Sequence, residues 1–257
     1  MIEIKSLSKR YKLTKQQKRE RGTSGDTKHV DAVKDLNLTC KPGRVFTLLG
    51  PNGAGKTTTL RMIATMLHPS SGEIKVAGFD TVTQGPEVRR RLGFLTGGTG
   101  LYDRLTANEM VKYYADLNGI DSTRFKANRD EIFARLGIEE FANRRIAKLS
   151  TGMKQKVSIA RTIIHDPEVL VFDEPTSGLD VIASKGIIEL IREKKTEGKT
   201  IIFSTHIMSE VSILSDDLAI IHNGELLYDG TYKEFEANMQ SKSLADEFIR
   251  LVEGGQQ

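Results

Sequence analysis

Apolar residues along the chain follow two spacings, one typical of buried strands and one typical of helices that cover them. Residues 45–49, 169–172 and 200–204 are short, mostly apolar runs of strand length. Residues 60–67 carry apolar side chains at i, i+3, i+4 and i+7, which places them on one face of a helix. Because strands and helices alternate, the pattern predicts an α/β fold with a largely parallel sheet.

Capping and helix-breaking residues predict where two of the helices begin and end. Thr106 and Glu109 form a capping-box pattern, in which each side chain reaches the free backbone amide of the other residue. The helix that they open is predicted to end near Asn118-Gly119. His68-Pro69 predicts the end of the helix that contains residues 60–67.

Three further patterns define the C-terminal half of the chain. Residues 153–164 repeat the helical spacing and stop before Pro167. Residues 218–228 read as a hairpin around Asn223-Gly224, a pair that favours the type I′ turn. Residues 244–252 are predicted to form a short amphipathic helix.

The composition is that of an ordinary globular protein, with 38 Lys and Arg against 34 Asp and Glu in 257 residues. The net charge of +4 is too small to indicate a nucleic-acid partner by itself. No apolar run approaches the roughly 20 residues of a transmembrane helix, and the first residues lack the pattern of a secretory signal peptide. Cys40 is the single cysteine, which excludes an internal disulfide and predicts a reducing compartment.

A basic segment near the N-terminus is the one marked shift in composition. Residues 9–28 hold eight Lys or Arg and only two acidic residues. Together with the turn formers at 23–26, this charge predicts an exposed, mobile loop over residues 14–29. A solvated insertion is the plainer interpretation, and contact with anionic lipid or another acidic surface is the alternative.

A phosphate-binding motif follows the first of the buried strands. Residues 50–57, Gly50-Pro51-Asn52-Gly53-Ala54-Gly55-Lys56-Thr57, match G-x-x-x-x-G-K-[ST] in full. The glycines let backbone amides approach phosphate oxygens, Lys56 supplies a positive charge, and Thr57 offers a hydroxyl to Mg²⁺. Thr58, the next residue, completes the predicted nucleotide-binding set. The sequence contains no N-K-x-D or T-K-x-D that would select guanine, which favours ATP.

Two carboxylates end the apolar run at 169–172. At the end of a strand, Asp173 and Glu174 can both project over the phosphate site. Asp173 suits Mg²⁺, and Glu174 suits the attacking water as its base or its orienter. A solvated pair of surface carboxylates is the alternative interpretation.

A helix start lies 23 residues before Asp173. Ser150 is predicted to be its N-cap, and the small residues Thr151 and Gly152 leave the following backbone amides accessible, with Met153 next in the chain. Taken alone, this segment indicates only where a helix begins.

In this order, the motifs resemble those of the nucleotide-binding subunits of ATP-binding cassette (ABC) transporters. The resemblance covers nearly all of residues 1–230. The matching segments are 50–57 (Walker A), Ser150-Thr151-Gly152-Met153 (a degenerate signature), 169–174 (Walker B), Ser177-Gly178-Leu179-Asp180 (the D-loop), His206 (the H-loop) and Tyr11 (the aromatic that stacks on adenine).

The resemblance implies an α/β fold with a P-loop NTPase (RecA-like) core, an antiparallel β subdomain and an inserted α-helical subdomain. The implied divisions are an ATP-binding domain at 1–230, with its core at 1–96 and 151–222, its helical subdomain at 97–150 and its basic loop insertion at 14–29, and a C-terminal helical tail at 231–257.

The resemblance also implies a head-to-tail homodimer that holds each ATP between Walker A of one copy and the signature of the other. A helix N-terminus is an anion site, which fits residues 150–153 serving a γ-phosphate in trans. The implied catalytic residues are Lys56, Glu174 and His206, the implied Mg²⁺ ligands are Thr57 and Asp173, and Tyr11 and Asp180 join the loops as nucleotide-binding residues.

Two departures from the family pattern affect the expected activity. Gly97 stands where the family has the Q-loop glutamine, so no side chain there can ligate Mg²⁺ or orient water. Thr151 and Met153 alter the signature by adding bulk and by replacing an amide-bearing side chain. Because the other site residues are present, we expect modest turnover rather than an inactive site.

The resemblance is strongest to ATP-binding subunits of bacterial ABC-2 exporters, through residues 100–106 and 149–156. It implies a multispan permease partner, a position at the cytoplasmic face of the cell membrane and no specific nucleic acid. Sodium extrusion is the first substrate that it suggests, followed by drug or antibiotic efflux. The rival class is a soluble ABC ATPase that acts on nucleic acid or ribosomes, which only the basic segment favours.

Overall fold

The computed structural model describes residues 1–13, 29–97 and 100–254, so the predicted loop at 14–29 lies almost wholly outside the described residues. The described strands are β1 (Ile2–Lys12), β2 (His29–Cys40), β3 (Val45–Leu49), β4 (Ser71–Val76), β5 (Phe79–Asp80), β6 (Leu92–Leu95), β7 (Val169–Asp173), β8 (Thr200–Thr205), β9 (Asp217–His222) and β10 (Glu225–Thr231). The described helices are α1 (Lys56–Ile63), α2 (Gly85–Arg91), α3 (Ala107–Leu117), α4 (Ser122–Leu136), α5 (Thr151–Ile163), α6 (Val181–Thr196), α7 (Met208–Leu214), α8 (Tyr232–Asn238) and α9 (Leu244–Gly254).

Two sheets organise the described part of the chain. The larger sheet has the order β10-β9-β3-β8-β7-β6 and is parallel except at the β9–β10 pair. The smaller sheet has the order β2-β1-β4-β5 and is antiparallel throughout. The predicted α/β fold with a largely parallel sheet is therefore confirmed.

The central strands β3, β7 and β8 are buried at every position, as expected for parallel strands covered on both faces. In β7, Val169 and Val171 belong to a core that includes helix α1 and the antiparallel sheet, whereas Leu170 and Phe172 belong to a core with the helices on the other side. The predicted strands at 169–172 and 200–204 each extend one residue further, to Asp173 and Thr205. Polar residues therefore terminate the buried strands at one edge of the sheet.

Helix α1 ends earlier than the sequence predicts. Its apolar face is buried as expected, but the helix stops at Ile63 rather than at His68-Pro69. Thr65 adopts a left-handed conformation with φ of 60°, and its N–H donates to the Met62 carbonyl at 3.2 Å. The Met66 N–H donates to the Arg61 carbonyl at 2.9 Å, which completes a Schellman motif. The prediction was wrong because this motif usually places Gly, not Thr, at the left-handed position.

The segment between β6 and α5 folds into α3, α4 and two short 3₁₀ turns. The capping box is confirmed: the Glu109 N–H donates to Thr106 Oγ1 at 3.2 Å, and the Thr106 N–H donates to Glu109 Oε2 at 2.8 Å. Helix α3 contacts α5 through Arg161, whose Nη1 donates to the Tyr114 hydroxyl at 2.8 Å. Burial lowers the pKa of the Arg161 guanidinium, and the Tyr114 hydroxyl opposes that effect. This contact helps fix α3 against the helix that Ser150 opens.

The C-terminal part of the chain packs against the edge of the larger sheet. The hairpin turn is confirmed, with φ of 50° at Asn223 and 81° at Gly224. The predicted helix at 244–252 is confirmed as α9, and Phe235 of α8 joins Leu244 in a small core against β9. Within the described ranges, no helix combines the length and the apolar character needed to cross a membrane.

The left-handed Thr65 gives a test of the α1 ending. We expect Thr65→Gly to be more stable than Thr65→Ala by about 1 kcal/mol, because only Gly adopts this conformation without a Cβ penalty. Both variants lose the hydrogen bond that Arg89 donates to the Thr65 hydroxyl, so the Ala variant is the matched control. Urea unfolding measures the difference, and equal stabilities would contradict a left-handed residue 65.

Candidate functional site

The loop between β3 and α1 requires glycine at two positions. A Cβ at Gly50 would lie 2.3 Å from the Ile221 carbonyl oxygen, closer than any real contact. Gly55 has φ of 111°, and a Cβ there would lie 2.5 Å from the Ala32 carbonyl oxygen. The neighbouring strands therefore approach the loop too closely for side chains, which fixes its path around the start of α1.

The β9–β10 hairpin supports the same loop from outside. The Gly224 N–H donates to the Ala54 carbonyl at 2.9 Å, and the Gly224 carbonyl accepts from the Lys34 N–H at 2.8 Å. The hairpin turn is thus hydrogen-bonded to the loop on one side and to β2 on the other. Asn52 and Gly53 lie exposed at the tip of the loop.

Lys56 lies under this loop and is only 4% exposed. Its Nζ donates to the carbonyls of Gly50 at 2.7 Å and Pro51 at 3.2 Å. The same ammonium lies 3.4 Å from Glu174 Oε1. A buried ammonium that is held by neutral carbonyls and one carboxylate is a charge to which a phosphate can bind.

Asp173 ends β7 with a set of hydroxyl neighbours. Its Oδ1 accepts from Thr57 Oγ1 at 3.0 Å and from Ser204 Oγ at 2.7 Å, and the residue is 6% exposed. Carboxylate and hydroxyl oxygens are the ligands that Mg²⁺ prefers in proteins. The chemistry of this pair of residues, Asp173 and Thr57, therefore fits Mg²⁺.

Glu174 has a left-handed backbone, with φ of 49°. Its N–H points at Ser204, where the carbonyl oxygen lies at 3.2 Å and Oγ at 3.1 Å. Its Oε1 lies 3.2 Å from His206 Nδ1, in addition to the contact with Lys56. Strained backbone of this kind persists only where neighbouring contacts enforce it, and it is common at active sites.

Ser204 is a residue of this site that the sequence reasoning missed. Its buried hydroxyl contacts both Asp173 and the backbone of Glu174, so it relates the two carboxylates to β8. The only sequence signal was its position at the end of a buried strand, directly before Thr205-His206. Gln155 is a second such residue, because its Nε2 donates to the Pro175 carbonyl at 2.7 Å.

The signature residues lie apart from this cluster within one chain. Ser150 is confirmed as the N-cap of α5 and accepts from the Met153 N–H at 3.3 Å. A Cβ at Gly152 would lie 3.9 Å from Ala183 Cβ and 4.0 Å from Leu179 Cδ2, and Asp180 caps α6 by accepting from the Ala183 N–H at 2.8 Å. In the described ranges, no hydrogen bond or ion pair joins residues 150–153 to residues 50–58.

Three further predicted positions lie around the site. Tyr11 is 39% exposed on β1, and the Lys9 ammonium lies 5.4 Å from the centre of its ring. Thr58 is half-buried in α1. Gly97 is exposed after β6, and it is the preceding Thr96 whose hydroxyl lies 3.5 Å from Asp173 Oδ2.

The sequence matches a known family over more than half of its length. The family model described as ABC transporter matches residues 33–177. The chain is 48% identical over 229 residues to the ABC transporter ATP-binding protein NatA of Bacillus subtilis (strain 168), covering 88% of this chain and 93% of that protein. It is 38% identical over 231 residues to the bacitracin transport ATP-binding protein BcrA of Bacillus licheniformis, covering 86% of this chain and 74% of that protein.

Solved structures share the fold over nearly the whole chain. A structure described as the ATP binding subunit of an ABC transporter superposes with a TM-score of 0.83 at 26% identity, covering 98% of this chain and 99% of that chain. A dimeric ATP-binding cassette bound to ADP and Pi superposes with a TM-score of 0.78 at 26% identity, covering 90% of this chain and 98% of that chain.

The predicted fold, with a P-loop NTPase core, an antiparallel β sheet and helical parts, is confirmed by these structures. The resemblance to ATP-binding subunits of ABC transporters is confirmed by the family match and by relatives that this chain matches over most of their own length. The chain therefore belongs to the ABC transporter family, in which it is an ATP-binding subunit with ATPase activity.

Proposed function

We propose that ATP hydrolysis by this subunit takes place at the cluster of Lys56, Thr57, Asp173, Glu174 and His206. The observation that supports this most directly is the position of Glu174 Oε1, 3.4 Å from Lys56 Nζ and 3.2 Å from His206 Nδ1. A phosphate bound by the Lys56 ammonium would therefore lie beside both a carboxylate and an imidazole. A carboxylate in that position can orient an attacking water and accept its proton.

Each residue of the cluster has a distinct proposed role. Backbone amides of residues 50–58 and Lys56 bind the β- and γ-phosphates, Glu174 orients the attacking water and accepts its proton, and His206 contacts the γ-phosphate. Thr57 and Asp173 would hold Mg²⁺, which when bound neutralises phosphate charge. Tyr11 is the proposed adenine contact.

Turnover is proposed to be modest because the Q-loop position lacks a side chain and because Thr151 and Met153 alter the signature. Gly97 offers no side-chain group to the metal or to water, and the buried hydroxyl of Thr96 lies 3.5 Å from Asp173 Oδ2. A hydroxyl at 3.5 Å replaces only part of what a longer amide side chain supplies.

We infer that two copies complete the site. The N-terminus of α5, with Ser150, Thr151, Gly152 and Met153, forms no polar contact with the loop at 50–58 of its own described chain. A helix N-terminus binds anions, so these residues suit the γ-phosphate held by a second copy, with Asp180 beside them. The dimeric relative bound to ADP and Pi supports this arrangement.

The proposed divisions of the chain follow from these roles. The ATP-binding domain spans 1–230, with core segments at 1–96 and 151–222, a helical subdomain at 97–150 and the insertion at 14–29, and residues 231–257 form the tail.

The proposed partner is a multispan permease, which would hold the subunit at the cytoplasmic face of the cell membrane. We propose export, with Na⁺ as the first candidate substrate. Antibiotic efflux is the second candidate, because relatives at 38% and 33% identity are named for bacitracin transport and linearmycin resistance. The higher identity of 48% to NatA favours a substrate other than those two antibiotics.

Replacing the buried ammonium tests nucleotide binding. We expect Lys56→Ala to weaken Mg-ATP affinity by at least about 10- to 100-fold, the equivalent of one charge-assisted contact of about 1.5–3 kcal/mol. Isothermal calorimetry measures the affinity. Lys199→Ala is the control, because Lys199 pairs with Asp166 outside the cluster. An unchanged affinity in Lys56→Ala would refute the assignment.

Replacing the carboxylate that faces Lys56 and His206 separates binding from hydrolysis. We expect Glu174→Gln to bind ATP and to lose hydrolysis by about 100- to 10,000-fold, because Gln cannot accept the proton of water. With Mg-ATP it should accumulate as a dimer in light scattering. Glu189→Gln, on the exposed face of α6, should hydrolyse ATP and show no such dimer. A Glu174→Gln protein that stays monomeric would contradict the two-copy site.

Affinity purification from membranes and from cytosol tests the partner. We expect the native protein to isolate with a multispan membrane subunit. Isolation with RNA or ribosomes and without a membrane subunit would instead support the soluble class of ABC ATPase.

A further inference from the structure

Glu210 in α7 is a buried carboxylate to which the proposed hydrolysis gives no role. The residue is 5% exposed. Its Oε2 accepts from Thr205 Oγ1 at 2.6 Å, and its Oε1 accepts from Thr176 Oγ1. Both threonines are themselves buried. Removing a carboxylate from water is costly unless it is hydrogen-bonded, so these two contacts define its position.

The two threonines belong to the two segments that carry the proposed reactive groups. Thr176 lies two residues after Glu174, and Thr205 lies directly before His206. Thr205 Oγ1 also accepts from the Ile207 N–H at 3.0 Å, so the backbone on both sides of His206 is fixed by one hydroxyl. Glu210 therefore connects the segment that follows β7 to the last residue of β8.

This connection acts where the backbone is strained. Glu174 has φ of 49°, and its N–H donates a hydrogen bond to the hydroxyl of Ser204 in β8. Downstream of Glu174, the contact between Thr176 and Glu210 holds the chain in the turn that follows. Glu174 Oε1 and His206 Nδ1 lie 3.2 Å apart, and the segments that carry them are both hydrogen-bonded to Glu210.

We propose that Glu210 is a positioning residue for hydrolysis, which sets the distance between Glu174 and His206 through Thr176 and Thr205. The proposal rests on the function proposed above for those two residues. The negative charge itself is not required, since an amide also has a group for each threonine: its oxygen accepts from one hydroxyl and its N–H donates to the other.

Steady-state kinetics on the full chain tests this with a conservative pair. We expect Glu210→Ala to lower kcat by about 10- to 100-fold with little change in KM for ATP, because binding is retained while the reactive groups separate. Glu210→Gln should restore most of the activity. Glu247→Ala is the control: Glu247 is also buried, at 3% exposed, but it binds Arg250 in the tail helix, and its loss should leave kcat unchanged.

A second variant and a spectroscopic readout remain informative if Glu210→Ala folds poorly. Thr176→Val keeps the side-chain shape and removes the hydrogen bond from residue 176 to Glu210. It should lower kcat by a smaller factor than Glu210→Ala does. The imidazole ¹⁵N signals of His206 should shift in Thr176→Val and Glu210→Ala, and stay in place in Glu247→Ala.

Four results would overturn the proposal. They are a Glu210→Gln variant as inactive as Glu210→Ala, an unchanged kcat in Glu210→Ala, an unmoved His206 signal, or an equal loss in Glu247→Ala. Because the His206 signal is read without ATP, it tests the anchor even if the wild-type protein failed to hydrolyse ATP and the proposed function itself fell.

Discussion

The site depends on the register of three parallel strands whose carboxyl ends meet at one edge of the sheet. Leu49 pairs with Thr205 across β3 and β8, and Asp173 pairs with Ser204 across β7 and β8. The loop after β3, the carboxylates at the end of β7 and the histidine after β8 are therefore brought to one place by backbone hydrogen bonds. Open α/β sheets bind ligands at this edge, because the loops there face a common crevice.

Burial on both faces of these strands gives the edge its rigidity. One face of these strands packs against the antiparallel sheet and helix α1, and the other packs against the remaining helices, so a one-residue shift of register would move every side chain to the opposite face and disrupt the packing of both layers. Polar contacts at the strand ends then act on a fixed frame. Ser204 and Glu210 are examples, because each ties the segment after β7 to β8 through buried hydroxyl groups.

Two polar contacts within the chain involve the Glu174 carboxylate. Glu174 Oε1 lies beside the Lys56 ammonium and beside His206 Nδ1. In the proposed function, a bound phosphate would take the place of Glu174 at Lys56 and would contact His206. The N-terminus of α5 lies apart from this cluster, and the Ser150 hydroxyl there accepts a hydrogen bond from the Met153 N–H. In the proposed two-copy site, one chain would supply Lys56 and its loop to one phosphate and the N-terminus of α5 to the phosphate held by its partner.

Local sequence determined the elements whose signals are local. The motif at 50–57, the capping box at Thr106 and the turn at Asn223-Gly224 each follow from a few neighbouring residues, because caps, turns and glycine loops are set by short-range hydrogen bonds and by φ. Tertiary structure alone decided the rest. The early end of α1 is a local Schellman motif, but its left-handed position holds Thr65 rather than Gly, and Arg89 from the next helix donates to the Thr65 hydroxyl. The contacts of Ser204 with Asp173 and of Glu210 with Thr176 join residues distant in the chain, and such contacts depend on strand register and packing, which no short segment contains.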